Sequence, residues 1–183
     1  ARRIIGLAKV DASAAEIILR VQEGNRPILV GAWHRQVIDG LVEAIADAGI
    51  SVASLDGRTS AKEKEVLVND FNDKQLNVLV GQISAMGVSL NLQRGSSHII
   101  VVEEDWSWES SNMINDVIRR DQSSKNFRQH SITLISPFEG MSLEVVTQKS
   151  QNGQHLVNTV ESYKFTNGNL DKVMTKSARS RDH

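Results

Sequence analysis

Short runs of β-branched and other apolar residues recur along this chain, and the segments between them space their apolar residues for one face of a helix. The runs are Ile28-Leu29-Val30, Val52 to Leu55, Val78-Leu79-Val80, Ile99 to Val102 and Ile132 to Ile135. They are continuous rather than alternating, which suits strands covered on both faces. Between them, Val37, Ile38, Leu41, Val42 and Ile45 form one stripe of a helix over Gln36 to Ala48. Gly49 stands where a glycine would end that helix. Ser60 with Glu63 reads as a capping box opening a helix to Phe71. Ser13 with Glu16 reads as a second such pair, ahead of Ile17, Ile18 and Val21, and Ser107 as the cap of a helix from Trp108 to about Asp121. Strand alternating with helix predicts an α/β fold: a doubly wound, mostly parallel sheet with helices on both faces. Ligands of such sheets sit beyond the carboxyl ends of the strands. The segments to inspect are therefore Gly31 to Arg35, Asp56 to Thr59, Gly81 to Gly87, Glu103 to Trp108 and the stretch from Ser136 onward.

Composition narrows the classes. A length of 183 residues predicts one domain with an appendage. The division falls at about residue 150, where the texture turns to Asn, Gln, Ser, Lys and Arg. In the extension 151–183, Leu156, Val157, Val160 and Tyr163 predict a last helix, and disorder is expected beyond Asn167. The chain has no cysteine, which excludes a disulfide scaffold, a thiol nucleophile and a thiolate metal site. With 21 Lys+Arg against 22 Asp+Glu the formal charge is −1, so there is no whole-chain basic signature of a nucleic-acid coat, although a local basic face remains open. No apolar run approaches the ~18 residues of a membrane span. The opening Ala-Arg-Arg-Ile-Ile-Gly has no long apolar region of a signal peptide. The expected setting is cytoplasmic or nucleoid-associated, without membrane contact.

Several patterns bear on chemistry. The strand Ile99 to Val102 runs into Glu103-Glu104-Asp105, as does the magnesium-holding strand of a nucleotide hydrolase. That chemistry needs a G-x-x-x-x-G-K-[ST] phosphate loop, and no Gly-Lys pair occurs in the chain. The acids are expected to top a buried strand, solvated or paired. The histidines lie far apart in sequence, so no metal site is expected, and no G-x-S-x-G elbow is present. Gly81 to Leu92 is a small-residue turn after a strand; it either admits phosphates to the backbone or merely turns the chain. Arg119-Arg120 lies late in a helix. Arginine there either reaches a phosphate bidentately or, at i,i+4, pairs with Asp116.

Taken in order, Arg3 to Val10, Ile28 to Arg35, Leu55 to Ser60, Val68 to Phe71, Val78 to Leu92, His98 to Val101 and Glu104 to Trp106 resemble the second RecA-like lobe of a Snf-type DNA translocase of helicase superfamily two, in its annealing-helicase-like branch. The resemblance covers about Arg3 to Phe138 and implies a RecA-like lobe that binds DNA and, together with an N-terminal lobe, ATP and Mg. It implies that His34, Arg35, Gly57, Arg58, Thr59 and Ser84 lie toward the DNA backbone. It further implies that Gly87, Ser89, Asn91, Asp116 and Arg119 lie toward the nucleotide, and that Arg120 is the arginine finger. Motif VI, matched by Asn112 to Ser123, departs from the family pattern. Met113 stands for Gln, Val117 for the first arginine, Arg119 for His, and Asp121-Gln122-Ser123 for I-G-Q; Ser89 replaces a customary Gly. The resemblance thus implies half of a two-lobed motor, its N-terminal lobe in cis or in trans, with no cofactor held and no turnover by this chain alone. The alternatives are a non-catalytic DNA- or protein-binding adaptor and an unrelated small-nucleotide domain. Against the latter, no G-x-G-x-x-G follows the first strand.

Overall fold

The computed structural model describes residues 2–86, 90–92, 94–95, 98–103, 127–136, 142–151, 155–166 and 169–179. Helices α1 (Arg2–Ala8) and α2 (Val10–Gln22) lead into β1 (Ile28–Ala32), α3 (Arg35–Asp47), β2 (Val52–Leu55), α4 (Ala61–Asn72), β3 (Val78–Gln82), the single turn α5 (Ile83–Met86) and β4 (His98–Val101). Strands β5 (Phe127–Ser136), β6 (Ser142–Gln151), β7 (His155–Thr166) and β8 (Asn169–Arg179) follow. All join one sheet in the order β2-β3-β1-β4-β5-β6-β7-β8. Pairing is parallel from β2 through β5 and antiparallel from β5 through β8.

The continuous apolar runs divide between two faces because successive side chains of a strand point to opposite sides. Ile28, Val30, Ala32, Val78, Val80, Ile100 and Val102 pack with Ile17 of α2 and with Val37, Ile38, Leu41 and Ile45 of α3. Leu29, Leu55, Leu79, Ile99 and Val101 pack on the other face with Phe71 of α4 and with Ile83 and Met86 of α5. The parallel part of the sheet is therefore covered on both sides, and each fully buried Leu, Ile or Phe contributes about 1.5–3 kcal/mol. The expected doubly wound architecture is the one observed.

Helix ends follow local chemistry. Ser60 caps α4 by accepting from the Glu63 amide, while the Glu63 carboxylate accepts from the Ser60 amide, so the capping box is complete. Helix α3 ends at Gly49 with φ +76°, where the Gly49 amide donates to the Ala46 carbonyl and the Ile50 amide to that of Ile45, a Schellman arrangement. Helix α2 ends likewise on Gly24 at φ +89°. Helix α4 ends in the same pattern, but its left-handed position is filled by Lys74 at φ 60°, a conformation that disfavours residues with a Cβ.

Three sequence expectations are corrected. Ser13 is not an N-cap. It lies inside α2, which begins at Val10 with Lys9 at the cap position, and the buried Ser13 hydroxyl has no hydrogen-bond partner among the described residues. Apolar Val10 and Ala12 continue the buried stripe upstream, and that packing extends the helix past the cap signal. The stretch Leu156 to Tyr163 is strand, within β7, rather than helix, and within the region beyond Asn167 where disorder is expected, Asn169–Arg179 is the strand β8. Val157, Thr159, Val160, Tyr163 and Phe165 have strong strand preference, and β6 offers β7 a full antiparallel partner from Ser142 to Gln151. The helix expected over Trp108 to Asp121 lies outside the described residues.

Candidate functional site

Because β1, β2 and β3 are parallel, the chain leaves all three at the same edge of the sheet. That edge gathers His34 and Arg35 at the start of α3, Gly57, Arg58 and Thr59 in the turn after β2, and an exposed Ser84 in α5. The residues assigned to the backbone side of the site are thus brought together. Asn91 is not among them: its carbonyl accepts from Asn72 Nδ2, the last residue of α4, at 2.7 Å, at the end of that helix remote from the Asp56 to Ser60 turn. Gly87, Ser89, Asp116, Arg119 and Arg120 lie outside the described residues.

Two carboxylates organise the edge. Glu103, just past β4, is buried. Its Oε2 accepts from the backbone amides of Trp33 and His34, both at 2.8 Å. Its Oε1 lies 2.8 Å from His34 Nδ1. A carboxylate only accepts, so Nδ1 carries the proton and this bond restrains the ring. The other side of the Trp33 peptide is fixed as well, because Gln82 Nε2 donates to the Trp33 carbonyl at 3.2 Å. Helix α1 closes over the acid at Gly6, where an added Cβ would collide with Glu103 Oε1. The sequence predicts a strand-end acid at Glu103, solvated or paired, and the structure pairs it. Its fixing role had one signal in the sequence: an acid directly after a wholly apolar run.

The second carboxylate, Asp56, is 4% exposed and shapes the turn after β2. Its Oδ1 accepts from the Arg58 amide at 2.8 Å, its amide donates to Thr59 Oγ1 at 3.1 Å, and its carbonyl accepts from the Thr59 amide at 3.1 Å. The Arg58 guanidinium lies alongside the carboxylate, with Nε 3.1 Å from Oδ1 and 2.9 Å from Oδ2, and Nη2 also bonded to Oδ2. Nη2 makes a further bond of 2.8 Å to Asp39 Oδ1 on α3. The Arg58 hydrogen bonds hold the Asp56 carboxyl below its ordinary value against the opposing effect of burial, and the charges of Arg58 and Arg35 add to the lowering. The two carboxylates push the Arg58 guanidinium further up. Ser60 lowers the carboxyl of Glu63 through the capping box. Arg35 Nη2 would lie 3.3 Å from a Cβ on Gly57, so a side chain there would press on that arginine. An open groove of about 500 Å³ runs between β2 and α4, bordered by Asp56, Arg58, Thr59 and Lys62. The edge thus offers fixed cationic and hydroxyl donors, suited to binding phosphate oxygens without reading bases.

A family model described as the helicase conserved C-terminal domain matches residues 9–133. Transcription termination factor 2 of Drosophila melanogaster is 32% identical over 104 residues, which is 56% of this chain and 10% of that protein. The DNA repair and recombination protein RAD54B of Mus musculus is likewise 32% identical over 104 residues, 56% of this chain and 12% of its own length. The chain therefore spans about a tenth of the length of these curated relatives. Among solved structures, the C-terminal part of the Fun30 ATPase domain shares the fold with a TM-score of 0.55 at 19% identity, over 61% of this chain and 36% of that one.

Proposed function

We propose, from the premise that the chain belongs to the helicase conserved C-terminal domain family, that it is the second motor lobe of a Snf-type, ATP-driven DNA translocase. The observation that carries this reading is the gathering of His34, Arg35, Gly57, Arg58, Thr59 and Ser84 on one carboxyl edge of a RecA-like sheet. These residues contact the phosphates of duplex or branched DNA, so binding falls steeply with salt and depends little on sequence. ATP with Mg²⁺ binds between this lobe and an N-terminal lobe, joined in cis or in trans, that carries the phosphate loop; its hydrolysis supplies the cycle of lobe closure and opening. From this side Gly87, Ser89, Asp116 and Arg119 line the nucleotide cleft and Arg120 neutralises charge on the transferred phosphoryl group, while Asn91 is left out because its carbonyl is bonded to Asn72 at the far end of α4. The lobe works inside the cell, on cytoplasmic or nucleoid-associated DNA.

The test has two parts. Fluorescence anisotropy of the 183-residue chain with a labelled duplex, titrated from low to high salt, should show binding that weakens with salt and with Arg58→Ala. In the complete two-lobed protein, DNA-stimulated ATP hydrolysis should fall by about 10³-fold with Arg120→Ala, the scale of an arginine finger; unchanged turnover removes that assignment. Met113 and Val117, which depart from the family's motif VI, favour a second reading as a DNA- or protein-binding adaptor. DNA binding with no ATP turnover in the two-lobed protein would select it.

A further inference from the structure

We infer that Asp39 is an exchangeable stand-in for a nucleic-acid phosphate on Arg58, so that the lobe binds DNA by swapping one oxyanion for another. The inference rests on the proposed DNA-binding role of this edge and specifies how that edge is regulated.

The stereochemistry of the guanidinium carries the argument. An arginine side chain has two bidentate forks, a lateral one formed by Nε and Nη2 and a terminal one formed by Nη1 and Nη2. Asp56 fills the lateral fork of Arg58 through both carboxylate oxygens. The terminal fork is only half filled: Asp39 Oδ1 takes Nη2, and Nη1 has no hydrogen-bond partner among the described residues. A phosphate that engages the terminal fork with two oxygens must therefore displace Asp39 and need not disturb Asp56.

The two carboxylates differ in the way this exchange requires. The Asp56 side chain is 2% exposed and that of Asp39 is 55% exposed, while Arg58 itself is 51% exposed. Asp56 is tied to the turn by the Arg58 amide and by its own amide and carbonyl bonds to Thr59. Asp39 has a single bond to Arg58 from the solvent face of α3. Asp56 thus sets the plane of the guanidinium, and Asp39 occupies its open end until a stronger ligand arrives. Local charge points the same way. Around the Arg58 guanidinium itself, Arg35 and Arg58 are balanced by Asp56 and Asp39, so the departure of Asp39 uncovers one positive charge facing the incoming phosphate. The device favours a ligand with two oxygens in the geometry of a phosphodiester over a diffuse anion, and it restrains weak binding to anything merely acidic.

The experiment is a double-mutant cycle on the 183-residue chain, read as the dissociation constant for a labelled duplex at low and at physiological salt. Asp39→Asn should tighten binding about two- to fivefold, the range of one exposed ion pair, and Arg58→Ala should weaken it. In an Arg58→Ala background Asp39→Asn should have no effect, because the stand-in then has nothing to release. Arg58→Lys, which keeps the charge and loses both forks, should also abolish the benefit of Asp39→Asn. If Asp39→Asn leaves affinity unchanged, weakens it, or tightens it equally with and without Arg58, the exchange is wrong while the DNA-binding reading stands on Arg58→Ala alone. If Arg58→Ala leaves DNA affinity unchanged, the assignment of this turn to DNA fails and the exchange fails with it.

Discussion

The Glu103 and Asp56 junctions lie on the same edge of one sheet and use the same functional group to opposite ends. Glu103 offers its oxygens to two backbone amides and an imidazole, all groups of the fold itself, from a buried position. Asp56 gives most of its bonds to a side chain that is half exposed and still has donors to spare. The first arrangement joins α1, the end of β1 and the end of β4 into a fixed unit. The second presents a cation. The same carboxylate chemistry makes a frame where every partner is internal and holds out an exposed cation where one partner faces solvent.

The largest effect should come from breaking the frame. Glu103→Ala leaves the Trp33 and His34 amides and the His34 ring without their acceptor. At about 1–3 kcal/mol per stranded donor, softened by water at the rim, unfolding in urea should show a loss of about 3 kcal/mol. A loss under about 1 kcal/mol would mean that water replaces the acid and that the two junctions are alike. Asp56→Asn should cost less, about 1–2 kcal/mol at neutral pH, because its partner can turn to solvent. This loss has a defined pH dependence. The Asp56 carboxyl titrates below its ordinary value of 3.8, chiefly through the Arg58 hydrogen bonds. Its contribution is therefore complete above that value and disappears as the pH falls toward the lower folded value. Melting curves of the native chain and Asp56→Asn should converge on acidification.

A control away from both junctions is Lys74→Gly, which relieves the left-handed residue after α4. It should raise stability by about 0.5–1 kcal/mol in the same urea assay and leave DNA affinity untouched. The smallest effect on stability belongs to Asp39→Asn, within about 0.5 kcal/mol, since its ion pair is exposed. A larger loss would place Asp39 in the frame and remove the distinction between an exchangeable and a permanent carboxylate.

Much of this was legible in the residues, for physical reasons that also explain what was not. Strand and helix order could be read because a strand buried on both faces must be apolar throughout, and Ile28 to Val30, Val78 to Val80 and Ile99 to Val101 are. The Ser60–Glu63 box and Gly49 could be read because capping is a local exchange of hydrogen bonds. Ser13 misled because the same local signal was overruled by burial of Val10 and Ala12. The extension misled because Leu156, Val157, Val160 and Tyr163 fit a helical stripe, while the pairing that makes them strand comes from β6 and β8. For the site, the turn Asp56 to Thr59 is local and was found. Asp39 and Glu103 escaped as working residues because their partners are 19 and 69 positions away in sequence, and no spacing rule reaches that far.

The central position of β1 also sets the order in which this lobe can be made. Its neighbours are β3, where Ile28 faces Val78, and β4, where Ile28 faces His98. Both partners leave the ribosome long after β1 does, and the Glu103 junction closes over a separation of 69 residues. Parallel pairings of this span form slowly, because loop closure must precede any gain from contact. While synthesis proceeds, β1 waits with both edges bare and strongly apolar. The emerging lobe is therefore most exposed to aggregation before β4 emerges, and variants that weaken Glu103 should show their deficit first as a poor yield of folded protein.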